Sequence, residues 1–262
     1  MNPTTLPLED TFSDILGKAA RAQGVEEGAL GRLALGEWDP ALAETVCRRL
    51  GLSFPALAAI AEGRWRPTSP ALPDGLAGFT TPFGDMTVNA FLVWDRATGA
   101  AAVFDTGGDA SALLAEVTRL KVRVKVLFLT HTHGDHVLEV DRVAETTGCQ
   151  VLAPEGEPLA GAEMVRSGET VAVGGLQVEA RPTPGHSPGG TTYLVHGLRA
   201  PVAVVGDAIF AGSVGGIRGD YAAALEAIRR EILSRQDNTL LCPGHGPLTT
   251  VGQERAHNPF FA

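Results

Sequence analysis

Between residues 130 and 136 the chain reads Thr130-His131-Thr132-His133-Gly134-Asp135-His136, and no other stretch limits its fold so tightly. Three imidazoles and a carboxylate in six residues suit an apolar core badly, because each polar group needs a partner when buried. The run directly follows the apolar stretch 124–129, so it begins where a strand ends. In extended backbone alternate side chains share a face, which lets His131 and His133 reach one point while Asp135 lies along the same edge. Gly134 lets the chain turn, and His136 then opens a helix toward a second position. A histidine-rich surface loop is the plain alternative, but this spacing favours metal ligation.

Three further segments repeat the theme at the ends of expected strands: Thr183-Pro184-Gly185-His186-Ser187-Pro188-Gly189, Val205-Gly206-Asp207 and Cys242-Pro243-Gly244-His245-Gly246. Flanking glycine and proline fix a turn from which one imidazole or carboxylate projects inward. Singly, His186 or His245 reads as an ordinary hydrogen-bonded histidine; beside the first cluster each becomes a candidate ligand. His196 and His257 have no such setting and read as surface or hydrogen-bonded residues.

The chain changes character near its proline-rich stretch. Residues 11–22, 40–50 and 53–62 carry apolar residues at helical spacing, and strand signals are nearly absent before Trp65. Residues 66–75 hold three prolines and a glycine, which stops helices and suits a connector. We therefore read residues 1–72 as a helical N-terminal domain with its linker and 73–262 as the catalytic domain. In the latter, strands are expected at 88–94, 101–105, 124–130, 176–181, 191–195, 202–205 and 239–242, with helices at 110–120, 136–147 and 221–234. Such a mixture means a layered α/β core whose strand-end loops carry the chemistry.

Composition excludes several partners. The formal net charge of −9 repels polyanions, and no basic stripe offsets it. The N-terminal helices resemble a helix-turn-helix loosely, yet residues 1–72 carry nine acidic against seven basic side chains and 53–62 has no basic residue, which disfavours DNA binding. A helical cap or a dimerisation surface that makes a homo-oligomer is the expected role. No apolar run reaches membrane-spanning length and the first twelve residues lack signal-peptide features, so a cytoplasmic protein without membrane contact is expected. Cys47, Cys149 and Cys242 are odd in number and far apart, consistent with reduced thiols.

The motifs T-H-T-H-G-D-H, G-H-S-P-G, G-D and P-G-H-G, in this order, resemble the metallo-β-lactamase superfamily over about residues 79–262. The segments 206–213 and 243–252, with the ending Asn258-Pro259-Phe260-Phe261, are similar to its glyoxalase II-like branch. The resemblance implies an αββα sandwich with the site along one edge of the two sheets. It implies that His131, His133 and His186 hold one divalent metal ion and Asp135, His136 and His245 a second, with Asp207 bridging. Asp105, in Phe104-Asp105-Thr106-Gly107, matches an aspartate that orients a ligand histidine; a cap or turn role is the other reading. Zinc is the expected metal, with iron and manganese suited to the same donors.

Five neutral imidazoles and two carboxylates around two divalent ions leave about two positive charges, a setting that favours anionic transition states. A metal lowers the pKa of its water from 15.7 to about 7, so a bridging hydroxide with Asp135 and Asp207 as its partners suits attack on a thioester or related acyl substrate. Glutathione specificity is less supported. Residues 215–219 read Gly215-Gly216-Ile217-Arg218-Gly219 where eukaryotic members carry a basic residue and an aromatic, and the helical C-terminal glutathione-binding domain is expected to be missing. Arg218 and Tyr221 are candidate substrate contacts instead. Rival readings are a mononuclear iron persulfide dioxygenase, which His245 disfavours, and a β-lactamase or lactonase, which pocket shape would decide.

Overall fold

The computed structural model describes residues 6–68 and 71–262; residues 1–5, and residues 69–70 of the connector, lie outside the described residues. Six strands form one sheet in chain order: β1 (Leu76–Phe83), β2 (Met86–Trp94), β3 (Ala100–Phe104), β4 (Arg123–Phe128), β5 (Gln150–Pro154) and β6 (Glu163–Val165). The second sheet is built from β7 (Thr170–Val173), β8 (Leu176–Pro182), β9 (Thr191–His196) and β10 (Val202–Gly206). A small hairpin, β11 (Ile209–Phe210) with β12 (Ser213–Val214), precedes its last members, β13 (Leu240–Pro243) and β14 (Thr249–Thr250). The second sheet runs β14-β13-β10-β9-β8-β7, with β10 and β13 parallel.

Period-two alternation stacks these sheets. Phe91 and Val93 of β2 enter one buried cluster with Val178, Tyr193, Val202 and Val204, whereas Ala90 and Leu92 enter another. Val202 and Val204 of β10 face the first sheet while Ala203 and Val205 face away from it. Each sheet therefore buries both faces, which explains the near-continuous apolar strands.

Helices fill the outer layers. Three belong to the N-terminal part: α1 (Phe12–Ala22), α2 (Pro40–Leu50) and α3 (Phe54–Ala61). Thr11 and Asp14 close a capping box at α1, Asp39 caps α2 ahead of Pro40, and Ser53 caps α3. Against the first sheet lie α4 (Ser111–Leu120), the single turn α5 (Gly134–Val137) and α6 (Val140–Thr147); against the second lie α7 (Tyr221–Ile228), with a π-helical end over Arg229–Leu233, and α8 (Val251–His257). Leu16, Leu33, Leu57 and Trp65 share one continuous core with Val205, Ile228, Ile232 and Phe260. The N-terminal helices thus supply the outer cover of the second sheet.

The architecture is the expected αββα sandwich, with two kinds of correction. The expected helix 136–147 is broken: Thr106 Oγ1 donates to the His136 carbonyl at 3.0 Å and accepts from Glu139 N–H at 3.2 Å, so the side chain replaces helical bonds between α5 and α6. Strands β1, β5, β6 and β7, the short strands β11, β12 and β14, and helix α8 were not expected. β1 holds Gly78 and Pro82, which read as breakers, yet it pairs with β2 along its whole length.

Candidate metal centre

Four strand ends deliver the seven candidate ligands. His131 follows β4, His133 caps the turn α5 that carries Asp135 and His136, His186 lies between β8 and β9, Asp207 follows β10 and His245 follows β13. Their side chains meet. His133 Nδ1 lies 3.0 Å from His131 Nε2 and 2.9 Å from His186 Nε2. On the other side, Asp135 Oδ2 lies 3.2 Å from His245 Nε2 and 3.4 Å from His136 Nε2. Asp207 stands between the sets: its Oδ2 is 3.3 Å from both His186 Nε2 and His245 Nε2, and its Oδ1 is 3.4 Å from His136 Nε2. Gly244 makes this approach possible, because a Cβ there would sit 2.2 Å from Asp207 Oδ1.

Hydrogen bonds around the rim fix which ring nitrogens face inward. Asp105 Oδ2 accepts from His136 Nδ1 at 2.9 Å, and the Thr87 carbonyl accepts from His245 Nδ1 at 2.6 Å. Thr130 donates its hydroxyl hydrogen to Asp105 at 2.8 Å, so its oxygen accepts from His131 Nδ1 at 3.1 Å. In the neutral form of each of these three rings, the form a metal takes, the hydrogen is on Nδ1 and the Nε2 lone pair points at the shared space. Asp105 therefore orients His136 directly and His131 through Thr130, holding a left-handed backbone (φ 55°) to do so.

The same space demands positive charge. Burial disfavours a charged His136, yet Asp105 and Asp207 outweigh it and lift its pKa to about 10; His245, buried but flanked by Asp207 and Asp135, rises to about 11. Burial also pushes the Asp207 carboxyl up, and His136 and His245 overcome it to hold that group well below the carboxylate range. On the three-histidine side, burial and the His136 ring drive His131 down to about 2. His136 Nε2 and Asp207 Oδ1 are buried and make no hydrogen bond. Lone pairs and carboxylate oxygens that oppose one another at these distances fit divalent cations, and three groups, His131 with His133 and His186, His131 with His136 and Asp207, and Asp135 with His136 and His245, each have ligand atoms close enough to share an ion.

Beside His133 and His186 opens a groove of about 400 Å³ lined also by Pro184, Ser187, Arg218 and Ala224. Arg218 stands on its wall, its backbone N–H donating to the Gly185 carbonyl at 2.7 Å. Tyr221 is placed differently: it packs against the core under the N-terminal helices, where burial pushes its phenol up to about 12. His196 pairs with Glu179 and His257 stacks on Trp65, both away from the centre.

Sequence reasoning missed several supports. Asn89, fully buried in β2, donates to the carbonyls of Pro243 and Gly246 at 3.0 Å each and so holds both sides of His245. An amide inside an apolar strand was the available signal. Glu157 contacts Thr132 and Gly189 from the loop after β5, and nothing in its sequence setting marks it. Glu9 of the N-terminal segment packs on Gly246, next to His245.

A model of the metallo-beta-lactamase superfamily matches residues 83–245. The hydroxyacylglutathione hydrolase GloC of Haemophilus influenzae is 32% identical over 198 residues, which cover 66% of this chain and 92% of that protein. Among solved structures, the BLEG-1 B3 metallo-beta-lactamase aligns with a TM-score of 0.61 and 31% identity over 70% of this chain and 98% of that one. TTHA1623 in a di-iron-bound form aligns with a TM-score of 0.56 and 27% identity over 70% of this chain and 99% of that one.

Proposed function

This chain belongs to the metallo-beta-lactamase superfamily, and on that premise we propose that it hydrolyses thioesters or related acyl compounds with two divalent ions, His131, His133 and His186 holding one and Asp135, His136 and His245 the other. The observation that carries this reading is Asp207, whose one oxygen lies 3.3 Å from a ring nitrogen of each set. A dioxygenase working with a single iron has no use for the second set, and this disfavours that rival.

Bound ions would supply Lewis acidity, bringing the pKa of a water down to about 7 and polarising an acyl carbonyl. The protein's own groups do the rest. Asp105 keeps His136 and His131 in the tautomer that ligates, Asp135 and Asp207 offer carboxylate oxygens to orient the attacking water, and burial shields His131, His136 and His245 while His133 and His186 face the groove. Arg218 on the groove wall gives an anionic portion of the substrate a partner. Zinc is our choice of metal for a site of histidine and carboxylate; the di-iron form of TTHA1623 keeps iron as the competitor. Three free cysteines suit a reducing, cytoplasmic setting, and no helix among the described residues is long and apolar enough to cross a membrane.

The likeness to GloC favours a thioester, and the likeness to BLEG-1, at nearly equal identity, favours a β-lactam as the second reading. A hydrolysis panel of thioesters, lactones and β-lactams, run on protein of measured metal content, separates them. Thioester turnover with about two ions per chain is expected. Turnover of β-lactams alone would move the reading to a lactamase, oxygen uptake with glutathione persulfide and no hydrolysis would replace it, and full activity after metal stripping would end it.

A further inference from the structure

Two loops from different sheets carry the three-histidine set: the stretch after β4 holds His131 and His133, and the β8–β9 loop holds His186. The Thr191 N–H donates to the Thr130 carbonyl at 2.9 Å and ties the bases of the two loops, but that bond lies before His131 and leaves the separation of His133 from His186 to side chains. One carboxylate spans the gap. Glu157 Oε2 accepts from Thr132 N–H at 3.2 Å and from Thr132 Oγ1 at 2.7 Å, while its Oε1 accepts from Gly189 N–H at 2.9 Å. Thr132 lies between the two histidines of the first loop, and Gly189 lies three residues beyond His186. The side chain is only 5% exposed, and a Cβ on Gly189 would come within 2.8 Å of Glu157 Cγ, so the loops close tightly over it.

We propose that Glu157 is a positioning residue for one half of the centre: it sets the distance between His133 and His186, and so the affinity of the three-histidine set, without touching the other set. The inference rests on the reading of these histidines as metal ligands. The supports divide accordingly: the Thr87 carbonyl holds His245 alone, Asp105 serves both sets through His136 and through Thr130 to His131, and Glu157 ties Thr132 to Gly189 within the three-histidine set only.

The chemistry explains why a carboxylate is needed. Both oxygens face donors, and a glutamine can turn only one oxygen to them; its amide hydrogens would then oppose the N–H of Gly189 or the two donors of Thr132. Aspartate is one methylene short and cannot reach both loops. The amide variant therefore opens one side of the clamp at almost unchanged volume, which separates positioning from packing.

Cadmium titration of the full-length protein tests this, followed by cadmium NMR with one resonance for each set and His133→Ala to assign the three-histidine resonance. Metal-stripped Glu157→Gln is expected to melt close to wild type, to keep the Asp135–His136–His245 resonance, and to bind at the three-histidine set about 10- to 100-fold more weakly, as loss of an outer partner does. Thr132→Val, which removes one donor and no charge, should weaken the same set by less, and Glu155→Gln on the exposed neighbouring side chain should weaken neither. Wild-type affinity at the three-histidine set in Glu157→Gln, or equal weakening of both sets, overturns the proposal while leaving the hydrolase reading intact. A wild type that binds no second ion removes the parent reading instead.

Discussion

Asp105 Oδ2 stands 2.9 Å from His136 Nδ1, and the same carboxylate accepts both the N–H and the hydroxyl of Thr130 at 2.8 Å. Every group facing Asp105 is thus a donor, and only an acceptor-only side chain satisfies all of them. Asparagine tolerates the left-handed backbone at this position (φ 55°) but turns an amide toward one donor. Asp105→Asn should therefore fold, and should bind metal about 10- to 100-fold more weakly. Competition with a chelating dye measures this; wild-type affinity would show that the carboxylate is a structural cap alone.

Asp207 offers a sharper loss. Its charge lies within 3.4 Å of ring nitrogens from both sets, so Asp207→Asn removes a negative charge from each at once. Even outer partners are worth 10- to 100-fold in affinity, so the loss here should exceed about a hundredfold and affect both ions. Turnover should disappear with it. Metal analysis after dialysis checks the first outcome and the hydrolysis panel the second; an Asp207→Asn protein that retains two ions contradicts the bridging geometry.

Asn89 links stability to the site. Truncation in Asn89→Ala strips the side-chain donors from the two buried carbonyls of Pro243 and Gly246. Buried groups left unpaired cost about 1–3 kcal/mol each, so a total of about 3 kcal/mol is expected in urea unfolding. Because the freed loop carries His245, metal affinity should fall more at the Asp135–His136–His245 set than at the other. A change below about 0.5 kcal/mol would mean that water replaces the amide.

Much of the site was legible because ligand chemistry concentrates in short motifs. His131, His133, Asp135 and His136 announce themselves by spacing, and the fold adds only the convergence of His186, Asp207 and His245. The supports are harder to read. Glu157 and Asn89 act across loops and sheets on partners about 30 and 150 residues away in the chain, and such pairings leave no local pattern. Tyr221 is harder to read: a polar residue near the motif suggested a substrate contact, and its partly buried ring packs against the core shared with the N-terminal helices. β1 was hidden because its glycine and proline resemble punctuation, and only pairing with β2 overrides that.

Glu254 gives the fold a pH dependence separate from the metal centre. It is fully buried in α8, and burial lifts its pKa from 4.5 to about 7 although Thr249, the Gly212 N–H and Asn258 all donate to it. The folded protein then keeps a proton that the unfolded chain releases. Its contribution is fully present below pH 4.5 and is lost as pH rises through about 7, a change of about 3 kcal/mol. Glu254→Gln can donate to Thr249 and still accept from Gly212 and Asn258, so it should remove this slope and melt higher than wild type at pH 8. Parallel pH profiles for metal-stripped wild type and variant would refute the assignment.

The N-terminal helices precede the region that matches the superfamily model, yet they cover the outer face of the second sheet. Leu16, Leu33, Leu57, Ile60 and Trp65 are each no more than 9% exposed in a core shared with Val205, Ile228, Ile232 and Phe260. The Ser53 N–H also donates to the Pro259 carbonyl at 2.8 Å. Losing about 1.5–3 kcal/mol for each large side chain exceeds or rivals the 5–15 kcal/mol that holds a typical domain together. A chain beginning at Pro67 should therefore aggregate or melt far below the full-length protein, and its metal centre should loosen because Glu9 no longer packs on Gly246 beside His245. Expression of the truncated chain, followed by melting and light scattering, decides the matter. A soluble fragment with full-length melting temperature and metal affinity would show that the helices are an independent appendage.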